Sequence, residues 1–207
     1  MARKAIARKP GRPPASEGRD RAADIIEAAR ARFAGDGFDG ASLSKIAADA
    51  DLTLAALYHY FDDKIQLFEM VYRLTLHALW EPWIDGLASL DPSLDLAARC
   101  EAVMTPGDRP DDEHTDFFAG AQVAGRRIPE LRHLLDERDM VRQRAFAALL
   151  GDLGDRGRVR GCSTNAEAIA LLEVIFTGWT FEGYFQPSRR DEHHESAMRI
   201  LRTLTVE

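Results

Sequence analysis

Apolar residues recur at helical spacing along almost the whole chain, and this pattern constrains the fold more than any other feature. From about Arg21, the side chains of Ile25, Ile26, Ala29 and Phe33 share one helical face. Val, Ile and Thr never alternate with polar residues for long enough to predict a strand. The sequence therefore predicts an all-α protein, and its 207 residues suit one or two compact domains.

The front of the chain is predicted to form three short helices. The glycines of AGDGF, with Gly37 as the second, end the first helix, because Gly tolerates the left-handed backbone that often ends helices. Ser42 is a candidate cap for a second helix at 43–50, and Thr53 for a third at 54–61. Two short helices joined by a tight turn, the second opening on a capping residue, describe a helix-turn-helix.

The remaining chain is predicted to be helical as well. Asp63 and Gln66 have capping-box spacing, which predicts a fourth helix to about residue 79. Further helical segments follow Pro82, at 93–104, 114–126, 130–153, 165–185 and 191–204. We therefore expect a basic flexible arm at 1–20, a helix-turn-helix domain at 21–68 and a helical effector-binding and dimerisation domain at 69–207. The fourth helix, to about residue 80, connects the two domains.

Charge is distributed unevenly between the two ends of the chain. Through Arg21, seven basic residues stand against two acidic ones, whereas the whole chain has a formal net charge of −7. A basic arm on an acidic body indicates that a polyanion is contacted at one end. A flexible solubilising tail is the alternative interpretation of the arm.

Several classes of protein are disfavoured by what the sequence lacks. No apolar run approaches the roughly 18 residues that a membrane span needs, and the proline-broken N-terminus does not resemble a secretory signal. Cys100 and Cys162 lie outside any CxxC pattern and fit a reducing cytoplasm. The pairs His114-x-Asp116 and His193-His194 have no further partners at metal-ligand spacing. Because no enzyme motif is found either, we expect a cytoplasmic protein with no catalytic site, metal or cofactor.

One segment carries a specific combination of motifs. The stretch IIEAARARFAGDGFDGASLSKIAADADLTLAALYHYFDDKIQLF, residues 25–68, contains a Gly-Phe corner, an Ile-Ala pair, LYHYF and a following Lys64. In this combination it resembles the TetR family of bacterial transcriptional regulators. The resemblance implies a three-helix DNA-binding domain followed by a larger helical domain that binds a small molecule and dimerises.

The candidate DNA-contacting residues combine hydroxyls, one imidazole and apolar groups. Hydroxyls and Lys64 suit phosphate oxygens, while rings and methyls suit the groove. The arm motif KPGRPP resembles a minor-groove hook. Tyr60 has a second interpretation as a core residue beside Phe61. The residues expected to contact DNA are Arg12, Ser42, Ser44, Lys45, Thr53, Leu54, Ala55, Tyr58, His59, Tyr60 and Lys64.

The segment departs from the family pattern at two places. Relatives usually have Gly where this chain has Asp51, in a turn that needs positive φ, and Asp tolerates that conformation better than most residues. The recognition helix opens with Leu54-Ala55 where a Lys-Gly pair is common, so one phosphate contact is lost. The operator sequence is therefore not readable from the chain.

The body is expected to hold the effector and the dimer contacts. Glu173 is the most suggestive polar residue, because a charge inside ALLEVIF needs a partner, although exposure on a helix edge is the alternative. Ring residues here also fit a plain core. Candidate effector residues are His114, Phe117, Phe118, Gln122, Glu173 and Trp179. Candidate dimer residues in the last two helices are Leu172, Phe176, Trp179, Ile200, Leu201 and Leu204.

These features favour one function and leave two others open. The favoured function is a homodimeric regulator, a repressor that an unidentified small molecule releases from a palindromic double-stranded operator. An activator without an effector is the runner-up in the same class. The alternative from another class is a helical ligand-binding or catalytic protein that has lost DNA binding.

Overall fold

The computed structural model describes residues 15–104, 112–151 and 159–204, and every element of regular secondary structure in them is a helix. No helix in these ranges has the length and apolar character to cross a membrane. The helices are α1 Ala15–Gly40, α2 Leu43–Asp49, α3 Leu54–Leu57, α4 Lys64–Ala88, α5 Leu96–Val103, α6 Asp112–Arg127, α7 His133–Leu150, α8 Asn165–Phe185 and α9 Arg190–Leu204.

The structure corrects two of the predicted boundaries at the front of the chain. Helix α1 begins at Ala15 rather than at about Arg21, because no proline follows Pro14 to prevent it. Helix α3 ends at Leu57, and residues 58–60 form a turn in which the amides of His59 and Tyr60 donate to carbonyls three residues back. The predicted end of the first helix is found at Gly37, where φ is 69° and ψ is 175° and the helix axis kinks.

Helix α4 is longer than predicted and continues through Pro82 to Ala88. A proline inside a helix typically costs about 3 kcal/mol, through the missing N–H and a clash with the preceding turn. Here Pro82 and Ala78, four residues before it, are both exposed, so water can reach the carbonyl that loses its donor. Trp80 and Trp83 on either side of the proline pack edge to face at 5.7 Å and join the body core. Their burial offsets the local cost.

The first core cluster joins the front helices to α4 and α6. Three phenylalanine rings lie at its centre: the ring centroids of Phe33 and Phe68 are 4.9 Å apart, and those of Phe68 and Phe117 are 5.3 Å apart. Phe117, on α6, is 1% exposed. It therefore completes the core of the front helices.

The second core cluster lies between the end of α4 and helices α5, α7, α8 and α9. The rings of Trp83, Phe146 and Phe176 pack edge to face, with centroids 5.1 to 5.6 Å apart. Leu172 and Leu201 are each 1% exposed in the same cluster. This core ties the last two helices to the rest of the subunit.

Candidate DNA interface

Helices α2 and α3 form a capped helix-turn-helix. The Ser42 hydroxyl accepts a hydrogen bond from the Lys45 amide at 3.3 Å, and the Thr53 hydroxyl accepts one from the Ala56 amide at 3.1 Å. Both predicted caps are thus confirmed. Between the helices, Asp51 has φ 54°, the one positive φ of a non-glycine residue in the described part of the chain. The turn adopts the left-handed conformation that the sequence predicted at this position.

The internal face of the motif is apolar and closed. Ile46 and Leu57 are fully buried, and Ala47 is 1% exposed. Phe61 closes the end of the motif and is also buried. This face fixes the orientation of α3, so the side chains on its other side are held in defined directions.

The opposite face of α3 and the turn after it is exposed and carries no charge. Ala55, Tyr58 and His59 are exposed, and Leu54 is half-buried beside them. Tyr58 is 49% exposed. The core interpretation of Tyr60 is wrong, since this residue is 36% exposed: the α-helix ends before it, and Phe61 takes the core position. The outward side of the motif is therefore a set of rings and methyl groups.

Helix α2 presents its own exposed side chains next to this face. Ser44 and Lys45 are both exposed on its first turn. At its other end, Asp49 accepts two hydrogen bonds from the Arg32 guanidinium of α1, one of them at 2.9 Å. The Arg32 bonds lower the pKa of the Asp49 carboxyl below its ordinary value. Sequence reasoning missed this clamp, because no spacing rule relates a residue on α1 to one on α2.

The Lys64 ammonium, predicted to contact phosphate, has protein partners. Nζ donates to the Phe38 carbonyl at 2.8 Å and to the Ala41 carbonyl at 3.2 Å. It also lies 4.4 Å from the centroid of the Phe38 ring. Arg12, the predicted arm contact, lies outside the described residues.

The flank of the motif facing α1 is acidic. A groove of about 690 Å³ between α1 and the helix-turn-helix is lined by carboxylates and two arginines, with smaller residues between them. Asp49 and Asp51 lie at its edge on the helix-turn-helix side. This charge disfavours a polyanion on the flank and leaves the α3 face as the suitable contact surface.

Sequence comparison agrees with this geometry. Residues 25–71 match the family model described as "Bacterial regulatory proteins, tetR family". The front helices thus form a TetR-family N-terminal domain. No curated protein sequence matches it.

Solved structures of TetR-like fold align over most of the chain. A transcriptional regulator from Rhodococcus sp. Rha1 aligns with a TM-score of 0.67 and 20% identity, covering 90% of this chain and 98% of its own. Escherichia coli NemR in its reduced form aligns with a TM-score of 0.68 and 16% identity, covering 90% of this chain and 98% of its own. The multidrug binding protein EbrR complexed with ethidium aligns with a TM-score of 0.64 and 21% identity, covering 90% of this chain and 99% of its own. At these identities the alignments establish that the chain shares their fold.

The structure distributes the predicted effector residues over several places. Phe118 stacks on Tyr72 with ring centroids 5.7 Å apart. Gln122, one turn further along α6, accepts a hydrogen bond from Arg138 on α7. Glu173 pairs with Arg142 and so has the partner that its position required. The other candidates lie apart: Phe117 in the front core, His114 half-buried near the start of α6, and Trp179 against Phe176 and His194.

The predicted dimer residues divide in the same way. Leu172, Phe176 and Leu201 are buried inside the subunit and cannot meet a second one directly, so their assignment to the interface is corrected. Leu204 and Trp179 are half-buried, and Ile200 is 47% exposed. Sequence reasoning missed the exposed apolar residues of α8, although their helical spacing was visible: Val174, Phe181 and Phe185.

Among the described residues, no group of three or more His, Cys, Asp or Glu side chains is arranged to hold a metal ion.

Proposed function

We propose that this TetR-family protein is a cytoplasmic homodimeric repressor that binds a palindromic operator through the α3 face and is released by a small molecule. The observation that carries the proposal is the exposed, uncharged set Ala55, Tyr58 and His59 on a capped helix-turn-helix. Such groups suit thymine methyls and sugars, while the hydroxyls and the amides of the helix ends suit phosphates. One short motif reads few bases, so two copies on a symmetric site are needed for specific recognition.

A second copy of the chain fits the outer face of α8. Val174 is 70% exposed, Phe185 67% and Phe181 39%, and these residues recur at helical spacing on one side of the helix. Ala170, one turn before Val174, and Gly178, between Val174 and Phe181, are exposed and small, which permits close approach of another helix. An apolar stripe of this kind is typical of an interface in a soluble protein.

The effector is proposed to bind around Tyr72, on helix α4. The Tyr72 and Thr75 side chains are 0% and 1% exposed, and neither hydroxyl makes a well-formed hydrogen bond among the described residues, although the Tyr72 hydroxyl lies close to the Gln122 amide. A buried hydroxyl without a partner costs about 1–3 kcal/mol, so a ligand that bonds to it gains affinity. Burial raises the pKa of Tyr72 to about 12, which keeps its hydroxyl neutral and able to donate.

The charges near this position are already paired. Arg138 bonds to Gln122 and Asp139, and Arg142 bonds to Glu173. A charged ligand would find no unpaired opposite charge in this set, whereas the two hydroxyls can bond to a neutral polar group. We therefore expect an uncharged effector with hydrogen-bonding groups.

DNA binding is tested by titrating the protein onto the DNA upstream of its own gene. Wild type should retard this fragment, and the double variant Tyr58→Ala/His59→Ala should lose at least tenfold in affinity, which is about 1.4 kcal/mol. His77→Ala, which changes an exposed histidine on α4, is the matched control and should bind as wild type does. If wild type retards no genomic fragment at any salt concentration, the alternative of a helical protein without DNA binding is favoured instead.

The effector is tested with a thermal-shift screen of small molecules sorted by charge. Neutral compounds should raise the melting temperature of wild type, and Tyr72→Phe/Thr75→Val should abolish that shift. Hits confined to carboxylates or ammonium compounds would refute the proposed site.

A further inference from the structure

Lys64 opens the connector helix α4, yet its ammonium points back to the end of α1. The Nζ atom bonds to the carbonyls of Phe38 and Ala41, at 2.8 and 3.2 Å, and its charge lies over the Phe38 ring at 4.4 Å. The side chain is half-buried in this corner. Three protein groups thus surround one cation.

The corner suits a cation for identifiable chemical reasons. Carbonyl groups near a helix C-terminus lack intrahelical donors and carry partial negative charge, and α1 ends at Gly40. The face of an aromatic ring also attracts an ammonium group. An ammonium has three N–H donors, and two of them are used here. To reach a phosphate instead, Lys64 would have to give up these contacts.

The Phe38 ring is itself held in place. It stacks on Phe33 with centroids 6.1 Å apart and meets Phe68 edge to face at 5.1 Å. The residue after Ala41 is Ser42, whose hydroxyl caps α2. The Lys64 contacts therefore connect the start of α4 and the first core cluster to Ala41, the residue directly before the α2 cap.

We infer that Lys64 is a positioning residue for DNA binding rather than a phosphate ligand: it holds the α1–α2 corner against α4 and thereby sets the orientation of α2 and α3. This inference depends on the proposed DNA binding. It assigns the phosphate contact of this region to Lys45, which is exposed on α2, and to the hydroxyls.

Chemical labelling of wild type tests the inference without any mutation. The chain has four lysines, Lys4, Lys9, Lys45 and Lys64, so each can be followed by mass spectrometry after amine acetylation. In the free protein, Lys64 should react at least tenfold more slowly than Lys45. Bound DNA should protect Lys45 and leave the rate at Lys64 unchanged. Fast labelling of Lys64 in the free protein, with protection by DNA, would overturn the inference.

The salt dependence of DNA binding provides the second test. Removing a phosphate contact should reduce the slope of log K against log salt concentration by about 0.9. Lys45→Met should do this. Lys64→Met should lower affinity by one constant factor at every salt concentration with the slope unchanged, at a temperature where circular dichroism finds the variant folded. A reduced slope, or a folded variant that binds as tightly as wild type, would contradict a positioning role.

Each failure has its own signature. If wild type binds no DNA, the proposed function fails, and the labelling rates of the free protein still test the Lys64 corner. If Lys64→Met does not fold, Lys64→Gln, which keeps one donor for a carbonyl, replaces it in the salt series.

Discussion

The Arg142 guanidinium on α7 donates a hydrogen bond to the Glu173 carboxylate on α8, with 3.1 Å between Nε and Oε1. The second carboxylate oxygen lies 3.5 Å from Nη2. Both side chains are largely shielded, with 22% and 18% of their surface exposed. A charge in the apolar sequence ALLEVIF requires such a partner, and the pair ties α8 to α7.

Removing both members of this pair should destabilise the subunit by less than the two single changes added together. Glu173→Leu leaves the shielded guanidinium with Asp139 alone, at 3.5 Å, and should cost about 1–3 kcal/mol of unfolding free energy. Arg142→Met/Glu173→Leu should cost less than the sum of the two single variants, because the two charges are removed together. Urea unfolding of all four proteins measures the coupling. Additive losses would mean that the pair contributes nothing as a pair.

The left-handed residue of the helix-turn-helix gives a second prediction. Asp51→Gly should raise the unfolding free energy by about 0.5–1 kcal/mol, because Gly adopts φ 54° without strain. Asp51→Ala should lower it by a similar amount, since Ala is disfavoured there. Asp51→Asn separates charge from conformation, because Asn also tolerates this region. Both Asp51→Asn and Asp51→Gly should bind the operator more tightly than wild type, because each removes a carboxylate near the DNA. If Asp51→Asn binds the operator no more tightly than wild type, the Asp51 carboxylate is too far from the phosphates to affect binding.

What could be predicted from the sequence depends on how far apart the interacting residues lie along the chain. The caps at Ser42 and Thr53 and the left-handed Asp51 are local features, so residue type and spacing predicted them correctly. The buried Leu57 and the exposed Tyr58 followed from helical angles. The Lys64 contacts did not, because the groups it bonds to are brought to it by the fold.

The errors in the body have the same physical cause. Leu172 and Val174 are both apolar residues of α8, and periodicity alone does not say which face meets the subunit core and which faces outward. That choice is made by α7 and α9, which cover Leu172. Phe117 was likewise assigned to the body, although packing of α6 on α1 places its ring among those of the front helices.

A pH dependence of stability is expected from the joint between α4 and α7. Glu137 accepts two hydrogen bonds from Arg73, both at 2.9 Å, and these lower its pKa below the ordinary 4.5. A carboxyl with a lowered folded pKa contributes stability above its unfolded pKa, and that contribution is lost as the pH falls through the folded value. Glu137→Gln should therefore melt below wild type at pH 6, and the difference should shrink as the pH falls below about 4.5.

Melting temperatures measured from pH 3 to pH 7 test this, with Glu130→Gln as the control for an exposed glutamate nearby. The control should follow wild type at every pH. A difference between Glu137→Gln and wild type that stays constant down to pH 3 would rule out the Arg73–Glu137 pair as its source.

The apolar stripe of α8 gives the last prediction, which concerns assembly. Val174→Asp places a carboxylate in the centre of the proposed interface, where it would be desolvated without a partner. The dimer dissociation constant should rise by at least a hundredfold, about 2.7 kcal/mol, while the subunit stays folded because Val174 is 70% exposed. Met140→Asp on α7 is the matched control, since Met140 is similarly exposed, at 64%, but lies off the stripe.

Sedimentation velocity over a range of concentrations should find Val174→Asp monomeric and Met140→Asp dimeric. Operator affinity should fall with dimerisation in the first variant and not in the second, because one subunit reads only a half-site. If Val174→Asp remains dimeric and Met140→Asp does not, the interface lies on α7 instead.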